Sequence, residues 1–345
     1  MKVSIITTIY KAEKDLPRLL DSMMALKSPE LEFFLIDNGS PDRCGEICSK
    51  YLKKDSRFVL RSLKTNIGYI RARKFGIQEC DGDYVAFCDS DDYLEPGGYD
   101  HALEVIKEKE CDLYITSHNV HTGDSVYVSY PPYKKGLYQA EAIKDVIMPQ
   151  AFGFVKGRDR LHGFMWKQIY RRSILIDENI DLIEELKPWE DQVFNIDMLL
   201  NCDRVYVDDC VIYNYFANTG SVTDMMIKNF DCEDYWAKAR RLFIEKSQRA
   251  TNDIEKRASA NGGVYNVYTL VVTLCKSSLL TTASVSGLLR SLLKEDKVLK
   301  EILHTSSNED LDNQYKFVKY SLQLGLYYPL VVFVRYKLKK ANKYN

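Results

Sequence analysis

Three carboxylates stand within four residues at the end of an apolar stretch, so something must offset their crowded charge. The stretch YVAFCDSDDYL (84–94) begins as a β-prone run and ends in Asp89, Asp91 and Asp92. Like charges at this spacing repel one another and raise at least one carboxyl pKa. A divalent cation would offset the repulsion, because hard cations prefer carboxylate oxygens. The alternative is a polar turn in which Asp92 caps the next helix, and this stretch alone favours neither interpretation.

The acids end the fourth strand in an alternation of predicted strands and helices. Strands are predicted at 3–9, 31–37, 57–63 and 84–88, and helices at 16–24 and 69–80. Continuous apolar strands that alternate with helices indicate a parallel sheet covered on both faces. We therefore predict an α/β fold with a mostly parallel sheet.

Polar side chains follow three of these strands. They are Thr7, Thr8, Tyr10 and Glu13 after the first strand, DNGSPD (37–42) after the second, and DSDD (89–92) after the fourth. Ligands of open α/β sheets bind beyond the carboxyl ends of the strands. Three polar endings at one edge therefore favour a binding site over three unrelated turns.

The pattern changes after residue 118. Residues 119–163 look irregular, helices are predicted at 164–175 and 190–200, and a strand is predicted at 204–215. From about residue 230 the pattern is helical only, as in 234–246, 266–280 and 288–303. We therefore predict one domain over 1–225 and an all-helical C-terminal domain over 226–345.

Composition excludes several classes of protein. The 345-residue chain has a net charge of −1, which gives no electrostatic case for nucleic-acid binding. Its nine cysteines show neither zinc spacing nor a paired pattern, which favours reduced thiols in the cytoplasm. The N-terminus lacks the features of a signal peptide, and no apolar run of about 20 residues predicts a membrane-spanning helix.

An ordered set of motifs resembles family 2 glycosyltransferases of the GT-A fold, over roughly residues 2–225. The motifs are VSIITTIYKAEKDLPRLLDSM, LIDNGSPD, NIGYIRARKFGI, YVAFCDSDDYL, MWKQIYRRSIL and PWEDQVFNIDML. The members that look most similar build bacterial surface polysaccharides or extend glycans on surface adhesins. This chain departs from the family pattern at three places. Asn38 replaces the usual acid, Lys74 replaces the usual asparagine, and Thr7-Thr8 stands where a proline commonly follows. The first two departures bear on donor choice, and the third on the nucleotide loop.

The resemblance implies a uridine diphosphate (UDP) sugar as donor, bound by the GT-A nucleotide-sugar-binding domain. Asp37 would contact the uracil, Tyr10 would stack on it, and Arg73 would contact the diphosphate. For Tyr10 and Arg73 the alternatives are a surface tyrosine and a solvated helix arginine. The remaining predicted donor-binding residues are Thr8, Glu13, Asn66, Asp89 and Ser90.

The family's DxD pair falls on Asp89 and Asp91, which face the same side of an extended segment. The pair is predicted to hold Mn²⁺ or Mg²⁺, Asp91 directly and Asp89 through water or the ribose. In WED (189–191), the resemblance makes Asp191 the catalytic base and Glu190 an orienting residue, which implies inversion at the anomeric carbon. The alternative is two acids that favour a helix N-terminus.

The acceptor side is predicted to include Trp166, Trp189 and His162, because sugars stack on aromatic faces, although Trp166 could equally belong to the core. Residues 322–345 are aromatic and apolar, then basic. This tail predicts contact with a membrane surface, or else a final helix packed on its neighbours.

The predicted function is an inverting hexosyl- or N-acetylhexosaminyltransferase that acts in the cytoplasm, at the inner face of the membrane. Its acceptor would be a lipid-linked glycan in surface or capsular polysaccharide synthesis, and a homo-oligomer is left open. One alternative extends a protein-bound glycan on an adhesin, and another is a silent module that binds nucleotide sugars. A nucleotidyltransferase would need a glycine-rich phosphate loop, which TTIYKAEKDL (7–16) lacks.

Overall fold

The structure is a computed structural model, and it describes residues 1–123, 125–153, 163–216, 230–276 and 280–341. Contacts divide the chain into two compact units. The first comprises Met1–Ile147, His162–Glu184 and Glu190–Asn218, and the second Met148–Leu161, Glu185–Trp189 and Thr219–Asn345. The second unit thus takes two short segments from the earlier part of the chain. The division into domains at residues 225 and 226 stays a prediction.

The described part of the first unit contains ten strands in one sheet. They are β1 Val3–Ile9, β2 Leu31–Asp37, β3 Phe58–Ser62, β4 Tyr84–Asp89, β5 Tyr93–Leu94, β6 Leu113–Thr122, β7 Ser125–Ser129, β8 Gly136–Gln139, β9 Gln168–Arg171 and β10 Arg204–Phe216. The order is β3-β2-β1-β4-β9-β6-β10-β5, with β7 on β6 and β8 on β10. The β3-β2-β1-β4 block and the β6-β10 pair are parallel, and the remaining pairs are antiparallel. The predicted α/β fold, with a largely parallel sheet and a helical C-terminal region, is confirmed.

Helices cover this sheet. They are α1 Leu16–Ala25, α2 Cys44–Leu52, α3 Tyr69–Glu79, α4 Gly98–Lys109, α5 Ala140–Ala142, α7 Arg172–Asp177 and α8 Glu190–Leu200. The apolar face predicted for α1 is buried through Leu16, Leu19, Leu20 and Met23. Every residue of β2 is also buried, as expected for a strand covered on both faces.

Two predictions for residues 119–175 are wrong. The segment 164–175, predicted as one helix, forms a 3-10 turn at Met165–Lys167, then β9, then α7. The strand forms because β9 fills the gap between β4 and β6, and tertiary pairing overrides a helical pattern. The segment predicted as irregular contains the end of β6 together with β7 and β8.

The second unit is helical in its described residues. Its helices are α6 Met148–Phe152, α9 Cys232–Arg249, α10 Asp253–Lys276, α11 Thr282–Leu293, α12 Lys297–Thr305, α13 Asn313–Gln323 and α14 Tyr327–Ala341. The single helix predicted at 288–303 is two helices, because the Asp296 carboxylate caps a new N-terminus by accepting from the Leu299 N–H.

The last helix, α14, is packed into the core of the second unit. Tyr327, Leu330, Val331 and Val334 are buried there, so the alternative of a packed final helix holds for this face. On the outward face, Tyr328, Val332 and Tyr336 keep 55%, 47% and 63% of their surface exposed. Among the described helices, none combines the length and apolar character needed to span a bilayer.

Candidate active site

The carboxyl ends of β2, β1 and β4 lie side by side, as the three polar strand endings predict. Ile9 pairs with Asp37 of β2, and Thr8 pairs with Asp89 of β4. Asp37 and Asp89 therefore flank β1, about 10 Å apart across two strand spacings. This edge brings together residues that lie far apart in the sequence.

Arg73 is the centre of this edge. Its guanidinium donates to Asp89 Oδ1 at 2.8 Å and to Asp191 Oδ1 at 3.3 Å. Only 6% of the residue is exposed, so the alternative of a solvated helix arginine is wrong. Burial lowers the pKa of Arg73, but the charges of Asp89, Asp191 and Glu190 outweigh it and raise the pKa, so the side chain stays charged.

Asp191 lies in the first turn of α8, as the helix interpretation also predicts. Its second oxygen, Oδ2, accepts from the main-chain N–H of Met165 at 3.3 Å, and 17% of its side chain is exposed. Burial raises the pKa of Asp191 to about 7, against the lowering effect of Arg73 and the Met165 N–H. A carboxyl group with this pKa can hold or release a proton near neutral pH.

Glu190 precedes Asp191 and is 3% exposed. The Tyr69 hydroxyl donates to Glu190 Oε1 at 2.5 Å. Burial, followed by the negative charge of Glu190, raises the pKa of Tyr69. The tyrosine therefore stays protonated and fixes the carboxylate beside Asp191. Tyr69 lies one helical turn before Arg73 on α3, a spacing that could have indicated a shared face.

Asp92 does not cap a helix, so the alternative interpretation of the acid-rich stretch is wrong for this residue. It is 1% exposed, and it accepts from the Tyr213 hydroxyl at 2.6 Å and from the Phe216 N–H at 2.8 Å. Burial, and then the charges of Asp89 and Asp91, raise the pKa of Asp92 to about 8. Burial therefore favours the protonated form of this one carboxyl, and its two hydrogen bonds tie residues 89–92, the acid loop, to β10.

Asp89 and Asp91 carry the other two carboxylates of the acid loop, which the resemblance assigns to a divalent cation. Both are partly exposed, and Asp89 also pairs with Arg73. Within the described ranges no three His, Cys, Asp or Glu side chains are grouped so that they could hold an ion. Mg²⁺ sites often use one or two carboxylates and complete their shell with substrate phosphates and water. The donor set therefore fits Mg²⁺ or Mn²⁺ only together with donor oxygens.

An asparagine pair fixes the loops beside Asp37. The Asn38 amide donates to Asn66 Oδ1 at 3.2 Å and accepts from the Ile67 N–H at 3.0 Å. Gly39 has φ +68°, and a Cβ there would lie 2.6 Å from the main chain of Thr65. Asp37 itself is 8% exposed and accepts from the Ser40 N–H at 3.0 Å. The amide of Asn38, where the family carries an acid, thus joins the two loops without adding charge.

The remaining predicted donor residues lie after β1 and β4. Tyr10 is 41% exposed, so its ring surface is open, with the Lys11 ammonium 5.3 Å from its centre. Glu13 accepts from the Arg43 N–H at 3.2 Å and borders an open cleft with Lys11, Lys14 and Pro41. Thr8 and Ser90 are partly exposed at the ends of their strands.

The three residues predicted for the acceptor side are not brought together in the described structure. Trp166 is 4% exposed, and its ring stacks on the buried Tyr213 at 4.5 Å and on Phe164 at 5.0 Å, so its ring face is not open. Trp189 belongs to the second unit, where its ring packs edge-on against Tyr235 at 5.2 Å. His162 lies outside the described residues.

Three residues of this site were missed by the sequence-based predictions. Tyr69 orients Glu190, Tyr213 holds Asp92, and the Met165 N–H contacts Asp191. Met165 and Tyr213 carry no local signal, because a main-chain N–H and a strand tyrosine acquire these roles only through tertiary contact.

Comparison with known proteins gives one family. Residues 4–161 match the model of glycosyl transferase family 2. The uncharacterized glycosyltransferase EpsJ of Bacillus subtilis (strain 168) is 29% identical over 229 residues, which cover 66% of this chain and 64% of EpsJ. The poly(ribitol-phosphate) beta-N-acetylglucosaminyltransferase TarS of Staphylococcus aureus (strain Mu50) is 25% identical, over 95% of this chain and 57% of TarS. The chain thus spans less than two thirds of either relative.

Solved structures agree on the fold. The crystal structure of S. aureus TarS residues 1–349 has a TM-score of 0.68 at 19% identity, covering 99% of this chain and 92% of that one. The same TarS fragment in complex with UDP-GlcNAc has a TM-score of 0.64 at 22% identity, covering 94% and 92%. At these identities the likeness establishes the fold.

Proposed function

Because residues 4–161 match the model of glycosyl transferase family 2, we propose that this chain is a member of that family and moves a sugar from a UDP-sugar to a hydroxyl of a glycan. One observation carries the proposal. Arg73 joins Asp89 at the end of β4 to Asp191 at the start of α8, although 102 residues separate the two acids in the sequence. A predicted donor-binding residue and the predicted base therefore both contact one buried guanidinium group.

On the donor side, Asp37 accepts from the uracil imide, and the exposed ring of Tyr10 stacks on the base. Thr8, Glu13, Asn66 and Ser90 line the same edge. Arg73 carries a permanent charge, so it binds a diphosphate oxygen and exchanges part of its contact with Asp89 for that oxygen. A UDP-sugar donor is supported by the complex of TarS with UDP-GlcNAc.

On the acceptor side, Asp191 takes the proton of the attacking hydroxyl. The acceptor oxygen forms a bond to the anomeric carbon, and the bond from that carbon to the diphosphate oxygen breaks, leaving its electron pair on UDP. One displacement without a covalent intermediate inverts the anomeric carbon. A positioned base contributes about 10²–10⁴ in rate. Glu190, held by Tyr69, orients the acceptor beside Asp191.

Asp91 and Asp89 would hold Mn²⁺ or Mg²⁺, whose charge would stabilise the diphosphate leaving group. The sugar is a hexose or an N-acetylhexosamine, the second choice being supported by the donor in the TarS complex.

The acceptor belongs to cell-surface glycan synthesis and is lipid-linked, and the enzyme works at the cytoplasmic face of the membrane. The outward face of α14 supports this part of the proposal, because exposed Tyr328, Val332 and Tyr336 lie beside basic residues. These are Arg335, Lys337, Lys339 and Lys340, and no acidic residue follows Asp312. Apolar side chains next to positive charge suit an anionic lipid surface.

A donor screen tests the central proposal. Isothermal titration would compare UDP-GlcNAc, UDP-glucose, UDP-galactose and GDP-mannose with Mn²⁺ present, and slow hydrolysis of the bound donor would be followed in parallel. We expect UDP-sugars to bind and GDP-mannose to bind at least tenfold more weakly. In Asp37→Ala that preference should disappear, whereas Asp55→Ala, in an ion pair at the turn before β3, should keep it. Binding of none of these donors would refute the proposed function.

A further inference from the structure

The first and last residues of the acid loop are hydrogen-bonded to β10. The Tyr213 hydroxyl accepts from the main-chain N–H of Asp89 at 3.1 Å and donates to the Asp92 carboxyl group at 2.6 Å. The main-chain N–H of Phe216 donates to the same carboxyl group at 2.8 Å. The loop is therefore fixed at both of its ends by one strand.

A further contact reaches the loop from helix α1. The Arg18 guanidinium donates to the main-chain O of Asp91 at 2.5 Å. Asp91 is the residue that the resemblance places in direct contact with the divalent cation. A guanidinium is planar and carries its donors in a rigid fork, so its bond to a carbonyl constrains the peptide group that carries that oxygen. Arg18 thus restrains the main chain from which the Asp91 carboxylate extends.

An aromatic ring orients Arg18 in turn. The guanidinium carbon lies 4.1 Å from the centre of the Phe216 ring, at the distance of a cation–π contact. The His121 ring stacks on Phe216, with centres 4.2 Å apart and an angle of 10° between the planes. The ion pair of Arg18 with Asp15, at 3.6 Å, has side chains that are 39% and 45% exposed, and such pairs contribute little. Phe216 and the carbonyl of Asp91 therefore set the orientation of the guanidinium.

We propose that Arg18 is a positioning residue for the divalent cation and acts through the main chain of Asp91. The inference rests on the proposed transferase function, because the cation is part of that function. Groups that orient a metal ligand through a hydrogen bond change the metal affinity by about 10–100-fold when they are replaced. Arg18 is such a group for Asp91.

The charge of Arg18 makes the direction of the effect diagnostic. A guanidinium beside two carboxylates repels a divalent cation, so removing it would tighten cation binding if Arg18 acted through its charge alone. Loss of the hydrogen bond to Asp91 would weaken cation binding instead. The two roles therefore predict opposite changes for the same substitution.

The affinity for Mn²⁺ in the presence of saturating UDP tests the inference. Electron paramagnetic resonance would measure it on the full chain, because the signal of free Mn²⁺ falls as the ion binds. We expect Arg18→Met to raise the Kd for Mn²⁺ about tenfold. UDP titrated calorimetrically in EDTA should bind this variant and the wild type with the same Kd, because the contacts of Arg18 include no predicted donor-binding residue. This second titration also shows that the variant is folded.

Two further variants make the result specific. Arg43→Met is the matched control, because Arg43 pairs with Glu46 at the start of α2 with side chains 68% and 67% exposed, and the Kd for Mn²⁺ should not change. Phe216→Leu removes the ring under the guanidinium but changes no charge and keeps the main-chain bond to Asp92. It should raise the Kd for Mn²⁺ by about two- to fivefold, the range of one exposed cation–π contact.

Three outcomes would overturn the inference. Arg18→Met binds Mn²⁺ as tightly as the wild type or more tightly, or Arg43→Met loses as much affinity as Arg18→Met, or Arg18→Met also loses affinity for UDP in EDTA. A failure of the proposed function is distinguishable from these outcomes. In that case the wild-type chain itself binds neither UDP nor, with UDP present, Mn²⁺, and the inference fails with the function on which it rests.

Discussion

Replacing Arg73 by methionine should destabilise the first unit, because it removes the cation that faces two carboxylates. The side chain of Arg73 is 8% exposed, and those of Asp191 and Asp89 are 17% and 36% exposed. Methionine fills a similar volume without charge. The variant therefore leaves Asp191 buried beside Glu190 with no countercharge.

The two ion pairs of Arg73 do not contribute equally. The pair with Asp89 is the shorter, at 2.8 Å, but water screens a carboxylate that is more than a third exposed. The pair with Asp191, at 3.3 Å, is the better covered. Breaking a buried pair costs about 3–5 kcal/mol. With one of the two pairs screened, we expect Arg73→Met to lower the free energy of unfolding by about 3 kcal/mol.

The sign of the pH dependence of the free energy of unfolding follows from the raised pKa of Asp191. Its folded pKa, about 7, lies above the unfolded value of about 3.9, so the folded state binds the extra proton between these values. Its contribution to stability therefore falls as the pH rises from about 4 to the folded pKa, and is constant above it. In Arg73→Met the folded pKa rises further, so the fall continues to higher pH.

Urea denaturation at pH 8 would measure the effect in a double-mutant cycle. Asp191→Asn in the Arg73→Met background should recover about 1.5 kcal/mol, because it removes the uncompensated charge. Arg71→Met is the matched control, since Arg71 lies on the same helix but pairs with Glu184 at the surface, with 64% and 48% exposure. Its cost should stay below about 0.5 kcal/mol. Equal costs for the two arginine variants, or further destabilisation by Asp191→Asn, would refute the reasoning.

Three further predictions concern activity and binding. Asp191→Asn should keep the Kd for the UDP-sugar within twofold, while the rate of transfer falls at least about 100-fold. In the wild type, kcat should rise with pH to a plateau with an apparent pKa of about 7, and a flat pH profile of kcat would exclude Asp191 as the base. Asp91→Ala, or removal of divalent ions with EDTA, should abolish transfer and weaken donor binding; full activity in EDTA would remove the cation from the proposal. Lys339→Glu/Lys340→Glu should weaken the affinity for phosphatidylglycerol vesicles, measured by co-sedimentation, at least about 30-fold, at roughly 1 kcal/mol for each lost charge. Lys297→Glu/Lys300→Glu on α12 should leave that affinity unchanged, and equal losses in the two variants would contradict docking through α14.

For the tail, residues 322–345, the composition could be predicted to matter, but its packing could not. Its basic, aromatic composition is legible in the sequence, but α14 buries Tyr327, Leu330, Val331 and Val334 in the core of the second unit. Removing residues 322–345 would therefore expose that core, and a deletion would not isolate membrane binding. Charge substitutions on the outward face do isolate it.

The four strands β1 to β4 and the helices α1 and α3 could be predicted, because they carry a regular apolar period, whereas α2 was not predicted. The segment 164–175 could not, since β9 exists only where β4 and β6 leave room for it. The roles of Asp89, Asp91 and Asp191 stay predictions, and they depended on family motifs rather than on periodicity.

The sequence by itself determined the α/β alternation, the acid loop and the acidic start of α8, because each is written in neighbouring residues. Only the tertiary structure decided which charges meet. Arg73 joins two acids 102 residues apart, burial raises the pKa of Asp92 to about 8, and Trp166 lies in the core while Phe164 is exposed. Burial and contact set the ionisation and the accessibility of a side chain, and neither depends on its neighbours in sequence alone.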